Sequence, residues 1–214
     1  MSHYQALVVD FGGVLTTSLQ TAMLEFAQEA GIDLQHLARA ALGGYMGSED
    51  SLVFGFETGK ISEEEFTVAF AERLREESGV EVDPAGLVPR IFGRLRLEET
   101  MLDAVAAARA AGLKTGLLSN SWGTTLYPRE RLDPLFDVTV ISGEVGLRKP
   151  DPAIFELTTR RLGVAPEVCV FVDDHPGHLT SAAEAGMTTV LHRDPVRTIA
   201  ELESLLGVPL SGSS

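Results

Sequence analysis

The run Ala6-Leu7-Val8-Val9-Asp10-Phe11-Gly12-Gly13 places four consecutive apolar residues directly before an aspartate and a glycine pair. A run that is apolar on both faces suits a strand buried in a parallel sheet rather than one with a wet face. Runs at 138–141, 168–172 and 188–191 share that character, and 115–118 is a weaker fifth. Segments with helical spacing separate them: 98–111 closed by Gly112, part of 124–132, 152–162 before Gly163, and 179–185 before Gly186. Glycine just past the last turn is a common helix stop, because it accepts the left-handed backbone found there. Strand alternating with helix implies right-handed crossovers. The expected fold is therefore α/β, a Rossmann-like, doubly wound parallel sheet.

Residues 16–97 break this rhythm. They hold no convincing strand, but helix signals occur at 18–30 before Gly31, at 33–41 and at 62–77. The last opens Ser62-Glu63-Glu64-Glu65, a pattern in which Ser62 and Glu65 satisfy each other's exposed amides. A single crossover of this length would be unusual. The segment reads as an inserted α-helical domain over 16–97, leaving 1–15 and 98–214 as the core domain. The ending Ser211-Gly212-Ser213-Ser214 is small and polar and is expected to be disordered.

With 214 residues, 44% of them hydrophobic, the chain can bury one good core and a small second module. It contains no apolar run of about 18 residues, and its start, MSHYQALVVD, lacks a basic flank and cleavage site, so a cytoplasmic location is expected. Cys169 stands alone within an apolar run, which excludes a disulfide framework and reads as core filling. A net charge of -14 repels phosphate backbones and anionic lipid, so neither nucleic acid nor membrane is an expected partner. A small anionic substrate would be repelled as well, unless a local cation overcomes the field. The oligomeric state is not readable.

Ligands of open α/β sheets bind at the carboxyl ends of the strands. There the sequence supplies Asp10 after the first run, Ser119-Asn120-Ser121 after the second, Lys149 in the loop after the third, and Asp173-Asp174-His175 after the fourth. Each alone has an ordinary explanation as a turn former, a helix cap or a solvated charge. Together they deliver three carboxylates, hydroxyl and amide donors, and one ammonium to a single edge. Converging carboxylates repel unless a cation binds. Mg²⁺, which takes a few carboxylates, a carbonyl, waters and phosphate oxygen, resolves the conflict and leaves the site neutral toward a phosphate dianion.

These segments resemble the motifs of the haloacid dehalogenase superfamily. VVDFGGVLTTS at 8–18 resembles the first, Ser119-Asn120-Ser121 the second, Lys149 ahead of PDPAIFELTTRRLGV the third, and VCVFVDDHPGHLTSAAEAGM at 168–187 the fourth. The likeness spans essentially the whole chain, is nearest to the phosphatase domain of soluble epoxide hydrolases, and makes 16–97 the family's helical cap. It implies Asp10 as nucleophile, Ser119 and Asn120 as phosphate and substrate donors with Gly12 and Gly13 beside them, and Lys149 as the cation that screens attack. It further implies Mg²⁺ on Asp10, Asp174 and the Gly12 carbonyl, with Asp173 behind them, and a small phosphorylated metabolite as substrate.

One position departs from the pattern. Family phosphatases carry a second aspartate two residues after the nucleophile, and here that residue is Gly12. The missing carboxylate protonates the leaving oxygen and then activates water, a contribution of about 10²–10⁴ in rate. Its absence favours leaving groups that need little protonation. It also motivates an alternative, a binding or regulatory module with weak or no turnover. Dehalogenation is disfavoured because that branch needs no metal, which leaves Asp173-Asp174 without work. A receiver domain is disfavoured because its acidic pair follows the first strand. His175 can serve as a substitute proton carrier or as a helix cap. Trp122, Tyr45, Phe54 and Phe56 can line a pocket or fill the core, and Arg148 is expected on the solvated surface.

Overall fold

The structure, a computed structural model, describes residues 3–42 and 51–211. Tyr45 and residues 212–214 of the C-terminal tail lie outside that range. Five parallel strands, β1 (Ala6–Val9), β2 (Lys114–Ser119), β3 (Val138–Ile141), β4 (Cys169–Asp173) and β5 (Thr188–Leu191), form one sheet in the order β3-β2-β1-β4-β5. The chain leaves β1 toward one edge and then returns to the other, so strand order reverses beside β1, where such sheets open a crevice. The register sets Val9 level with both Leu117 and Val172, and the Asp10 amide extends the ladder to the Val172 carbonyl at 2.9 Å.

Both faces of β1 are buried, as its unbroken apolar run requires. Leu7 and Val9 point into a core shared with Met101, Val105, Ile199 and Leu202, whereas Ala6 and Val8 meet Ile154, Phe155 and Leu179 on the other face. Before these flanking helices come α1 (Leu19–Ala30), α2 (Leu34–Leu42), α3 (Leu52–Glu57), α4 (Glu63–Ser78) and α5 (Leu87–Phe92), which pack around their own centre of Phe26, Leu37, Phe66, Phe70 and Leu74. The chain enters and leaves this bundle at one narrow neck. Thr16 and Leu97 bridge antiparallel, and the Thr17 and Glu98 amides reach Arg96 and Leu15 carbonyls, each at 2.8 Å.

The remaining helices are α6 (Glu99–Ala110), α7 (Arg129–Leu132), α8 (Ser142–Val145), α9 (Pro152–Leu162), α10 (Pro176–Glu184) and α11 (Pro195–Leu206). Sequence reading places β4 one residue early and starts the helix at 179, three residues late. Pro176 occupies the first turn, where its missing N–H costs nothing. The reading also passes over α3, α5 and α11. The first two have six residues each, too short for a helical period to declare itself. Helix α11 did carry signals, an Asp194 cap that accepts from the Arg197 amide, Pro195 in the first turn and Gly207 at the end.

The Ser62 motif forms as its sequence predicts: Ser62 Oγ accepts the Glu65 amide at 3.1 Å and Glu65 Oε2 accepts the Ser62 amide at 2.7 Å. Ser62→Ala removes one of these bonds and should cost about 1 kcal/mol. Thermal unfolding should then fall by roughly 2–4 °C. An unchanged midpoint would mean that packing alone holds the start of α4.

Candidate active site

Asp10 is the first residue beyond β1, and Asp173 is the last of β4. The register places them side by side, and a single ammonium lies between them. Lys149 Nζ, with no solvent exposure, is 2.9 Å from Asp10 Oδ1 and 2.6 Å from Asp173 Oδ2. Asp10 Oδ1 also accepts the Phe11 amide at 2.7 Å. Asp173 is saturated, with Oδ1 accepting the His175 amide at 2.8 Å and the His178 ring Nδ1 lying 3.1 Å from both oxygens. Asp174 is exposed, and one oxygen from each of the three aspartates lies within 4.8 Å of the others.

Burial pushes the Asp10 carboxyl up to about 7; Lys149 pulls it down, while Asp173 and Asp174 add to the rise. Burial acts on Asp173 in the same direction, but Lys149 and His178 outweigh it and hold that carboxyl below its ordinary range. Burial disfavours the charged Lys149 too, yet Asp10 and Asp173 more than compensate and raise its value. Asp174, although solvent reaches it, is pushed up by partial desolvation and by Asp173. One ammonium therefore serves three carboxylates, and the edge holds an excess of negative charge.

Ser119 closes β2, and its hydroxyl lies 2.8 Å from the Tyr127 hydroxyl. The Asn120 amide clamps the Lys149 backbone from both sides, donating to its carbonyl at 2.9 Å and accepting from its N–H at 2.8 Å. Gly13 has φ 79°, and a Cβ there would collide with the Asp174 carboxylate, so only glycine lets the two approach. Gly12 differs. Its φ is not in the left-handed region, and a Cβ would meet nothing within 4 Å.

Above these groups opens a chamber of about 460 Å³. Asp10, Ser119, Asn120 and Asp174 form its polar floor, and Leu19, Met23, Leu34, Phe92 and Leu95 of the insertion form an apolar wall. Trp122 joins them, stacked on Phe92 with centroids 4.6 Å apart. Phe56 fills the core of the insertion against Phe66, and Phe54 lies beside Lys60 and Arg148. His175 borders the chamber but works as a helix cap, its Nδ1 accepting the Gly177 amide at 3.2 Å.

Arg148 is a correction. Expected on the solvated surface, it is 9% exposed and lies 2.9 Å from Glu57 Oε2, because a carboxylate buried in the insertion draws it inward. Sequence reading missed Glu57, Tyr127 and His178, all of which border the chamber. His178 follows the acidic pair closely enough to be suspected. Nothing around Glu57 distinguishes it from any helical glutamate.

The family profile of the haloacid dehalogenase-like hydrolases matches residues 4–186. The chain belongs to that family. Over 97% of its residues it is 31% identical to acyl-CoA dehydrogenase family member 10 of Mus musculus, and over 96% it is 30% identical to bifunctional epoxide hydrolase 2 of Sus scrofa. It spans only 20% and 39% of those proteins' lengths. A phosphatase of Mycobacterium tuberculosis is 30% identical, with 87% of this chain and 86% of that protein aligned. A haloacid dehalogenase family enzyme of Bacteroides thetaiotaomicron, solved with magnesium and inorganic phosphate, shares the fold with a TM-score of 0.67 at 23% identity, covering 89% of this chain and 94% of that one. Among the described residues no helix is long and apolar enough to cross a membrane.

Glu57 makes the site's burial measurable. The residue is 1% exposed, and burial pushes its carboxyl up to about 7 against the pull of Arg148 and Lys149. The folded state then keeps a proton that the unfolded chain has already released, so stability falls as pH rises from the ordinary carboxylate range through 7. Glu57→Gln removes that titration and leaves a constant offset. In urea unfolding at pH 5 and pH 8, the wild type should lose on the order of 2 kcal/mol relative to the variant at the higher pH. Parallel changes in both proteins would place the Glu57 carboxyl at its ordinary value.

Proposed function

We propose that the hydrolase is a Mg²⁺-dependent phosphatase of small phosphorylated metabolites that works through an aspartyl-phosphate on Asp10. The observation that carries this reading is the Lys149 ammonium wedged between Asp10 and Asp173 at the floor of the chamber, with Asp174 beside them. The donor set fits a small, hard cation. It consists of oxygens, it carries surplus negative charge, and Gly13 leaves open the space that a Cβ would take from Asp174. Asp10, the Gly12 carbonyl and Asp174 would hold the ion, and Asp173, whose oxygens are already engaged, would orient Lys149 from behind. Bound there, Mg²⁺ would supply Lewis-acid stabilisation of phosphoryl oxygens.

The chain's own residues do the rest. Asp10 attacks phosphorus in line and displaces the ester oxygen, and water then opens the acyl-phosphate. Lys149 fixes the nucleophile and offsets charge developing on the phosphoryl group. Ser119 Oγ borders the floor as a donor, the Asn120 amide holds the Lys149 backbone in place beside it, and the apolar wall of residues 16–97, read as a cap domain, limits water and suits an apolar leaving group. Gly12 alone favours a second reading, a binding or regulatory module without useful turnover.

Asp10→Asn should abolish Mg²⁺-dependent hydrolysis of an aryl phosphate while the fold persists, because an amide of the same shape is a far poorer nucleophile. Turnover near wild type would place the nucleophile elsewhere. Independently, calorimetric titration with MgCl2 should show affinity reduced at least about tenfold in Asp174→Ala, since a direct carboxylate ligand is lost. Equal affinity in both proteins would remove the metal site from the reading.

A further inference from the structure

In-line attack from Asp10 sends the leaving oxygen to the side of phosphorus that faces away from β1, toward the insertion. The titratable groups that line the chamber are few, and most are engaged. Asp10 and Asp174 belong to the floor, the Tyr127 hydroxyl is paired with Ser119 and pushed up by burial, His175 Nδ1 accepts the Gly177 amide, and His178 Nδ1 is committed to Asp173. Glu57 remains, and it is the chamber's acidic group contributed by the insertion. Its Oε2 is fully buried without an aligned hydrogen-bond donor, and Arg148 Nη1 is the charge 2.9 Å away.

The position of Glu57 is fixed from the sheet side. Its backbone carbonyl accepts the Ser142 hydroxyl at 2.5 Å, and Ser142 Oγ accepts the Ser121 amide at 2.8 Å. Arg148 donates from Nε to the Lys149 carbonyl at 3.1 Å. The end of α3 is thereby tied to the loop that carries Lys149 and to the donor edge after β2. At Gly59, two residues on, a Cβ would collide with the Gly143 carbonyl, so the backbones of insertion and core are in direct contact.

We propose that Glu57, carried in from the insertion, is the general acid-base of this hydrolase in place of the carboxylate missing at Gly12. The inference rests on the phosphatase reading above. As the bond from Asp10 Oδ to phosphorus forms and the ester P–O bond breaks, the Glu57 carboxyl gives its proton to the departing alkoxide, which leaves as the alcohol. Arg148 then faces the new carboxylate. That carboxylate takes a proton from the water that attacks phosphorus, the bond from phosphorus to Asp10 breaks, and inorganic phosphate leaves with Asp10 restored. A carboxyl raised to about 7 is matched to both tasks near neutral pH. The restriction to good leaving groups implied by Gly12 alone is thereby lifted.

The test uses the whole chain with MgCl2 and compares kcat/KM for p-nitrophenyl phosphate, whose leaving group needs no acid, with that for hexyl phosphate. In Glu57→Gln the hexyl ester should lose about 10² or more, while the aryl ester loses far less. Intact-protein mass spectrometry should show a phosphoryl group accumulating on Asp10 during aryl turnover, because water activation is lost as well. Adding Gly12→Asp to Glu57→Gln should recover hexyl phosphate turnover at least tenfold, since Gly12 has room and backbone freedom for a side chain. Equal losses on both esters, or no loss on either, would overturn the assignment to Glu57 while leaving the nucleophile untouched. A measurement on the wild type needs no folded variant: a steep fall of kcat/KM with leaving-group pKa across a series of esters would overturn it by showing that no acid operates. Failure of the wild type to hydrolyse any ester would remove the phosphatase reading itself, and Glu57's role with it.

Discussion

The Lys149 ammonium is the point on which the site depends, and its necessity follows from the sheet. Parallel pairing of β1 with β4 sets Val9 beside Val172, so the next residues, Asp10 and Asp173, emerge side by side in a region where burial strips water from both. Two adjacent buried carboxylates cannot both stay ionised without a cation. Lys149 supplies one, and its own burial is tolerable because both partners lie within hydrogen-bonding distance. Removing one member of such a group leaves the others uncompensated, typically at a cost of about 3–5 kcal/mol. The Asn120 amide carries the constraint further, gripping the Lys149 backbone and linking the end of β2 to the ends of β1 and β4.

This dependence explains what could be read from the sequence. The strands declare themselves because burial on both faces demands unbroken apolar runs, and the polar residues that follow each run collect at one edge. Asp10, Ser119, Asn120, Lys149, Asp173 and Asp174 are brought to that edge, where the structure gathers them. The direction of a side chain was not legible. Asn120 reads as a donor to a ligand, and its amide is largely spent on Lys149. Arg148 and Glu57 were misread or missed for a tertiary reason. A charged residue is drawn inward only by its counterpart, and these two lie on segments far apart in sequence that meet where the insertion contacts the core. The short helices α3 and α5 fall below the length at which a helical period becomes visible, whereas α11 had its caps in plain view.

The chamber shares the negative balance of the molecule as a whole and has to answer it locally. A chain of net charge -14 is a poor host for a phosphate dianion at long range. Over the floor of the chamber the near field is set by three carboxylates and by Lys149 between two of them, so a dianion there needs the cation proposed above. The apolar wall of the insertion strengthens these short-range terms, because it replaces water with a medium that screens them less. A hydrophobic roof and a charged floor are in this sense one device. The roof gives the few charges below it their effect, and it has shape left over for an apolar substrate.

Gly12 shows how the division of labour between core and insertion can change. An acid-base carboxylate two residues after the nucleophile would ride on the same loop as Asp10 and be positioned by β1 alone. Glu57 reaches the chamber from α3, and its place depends on contacts across the boundary, namely Ser142 to its carbonyl and Arg148 to its carboxylate. Proton transfer and nucleophilic attack are then assigned to separate structural units that share one cavity. The correct charge state is also tied to closure. Only while the insertion covers the floor is Glu57 desolvated enough to hold a proton near neutral pH, and with water admitted its carboxyl would return toward the ordinary range. The proton that Glu57 keeps and the packing of α3 against the core are therefore one property, and a substitution that loosens this packing should lower the carboxyl toward its ordinary range.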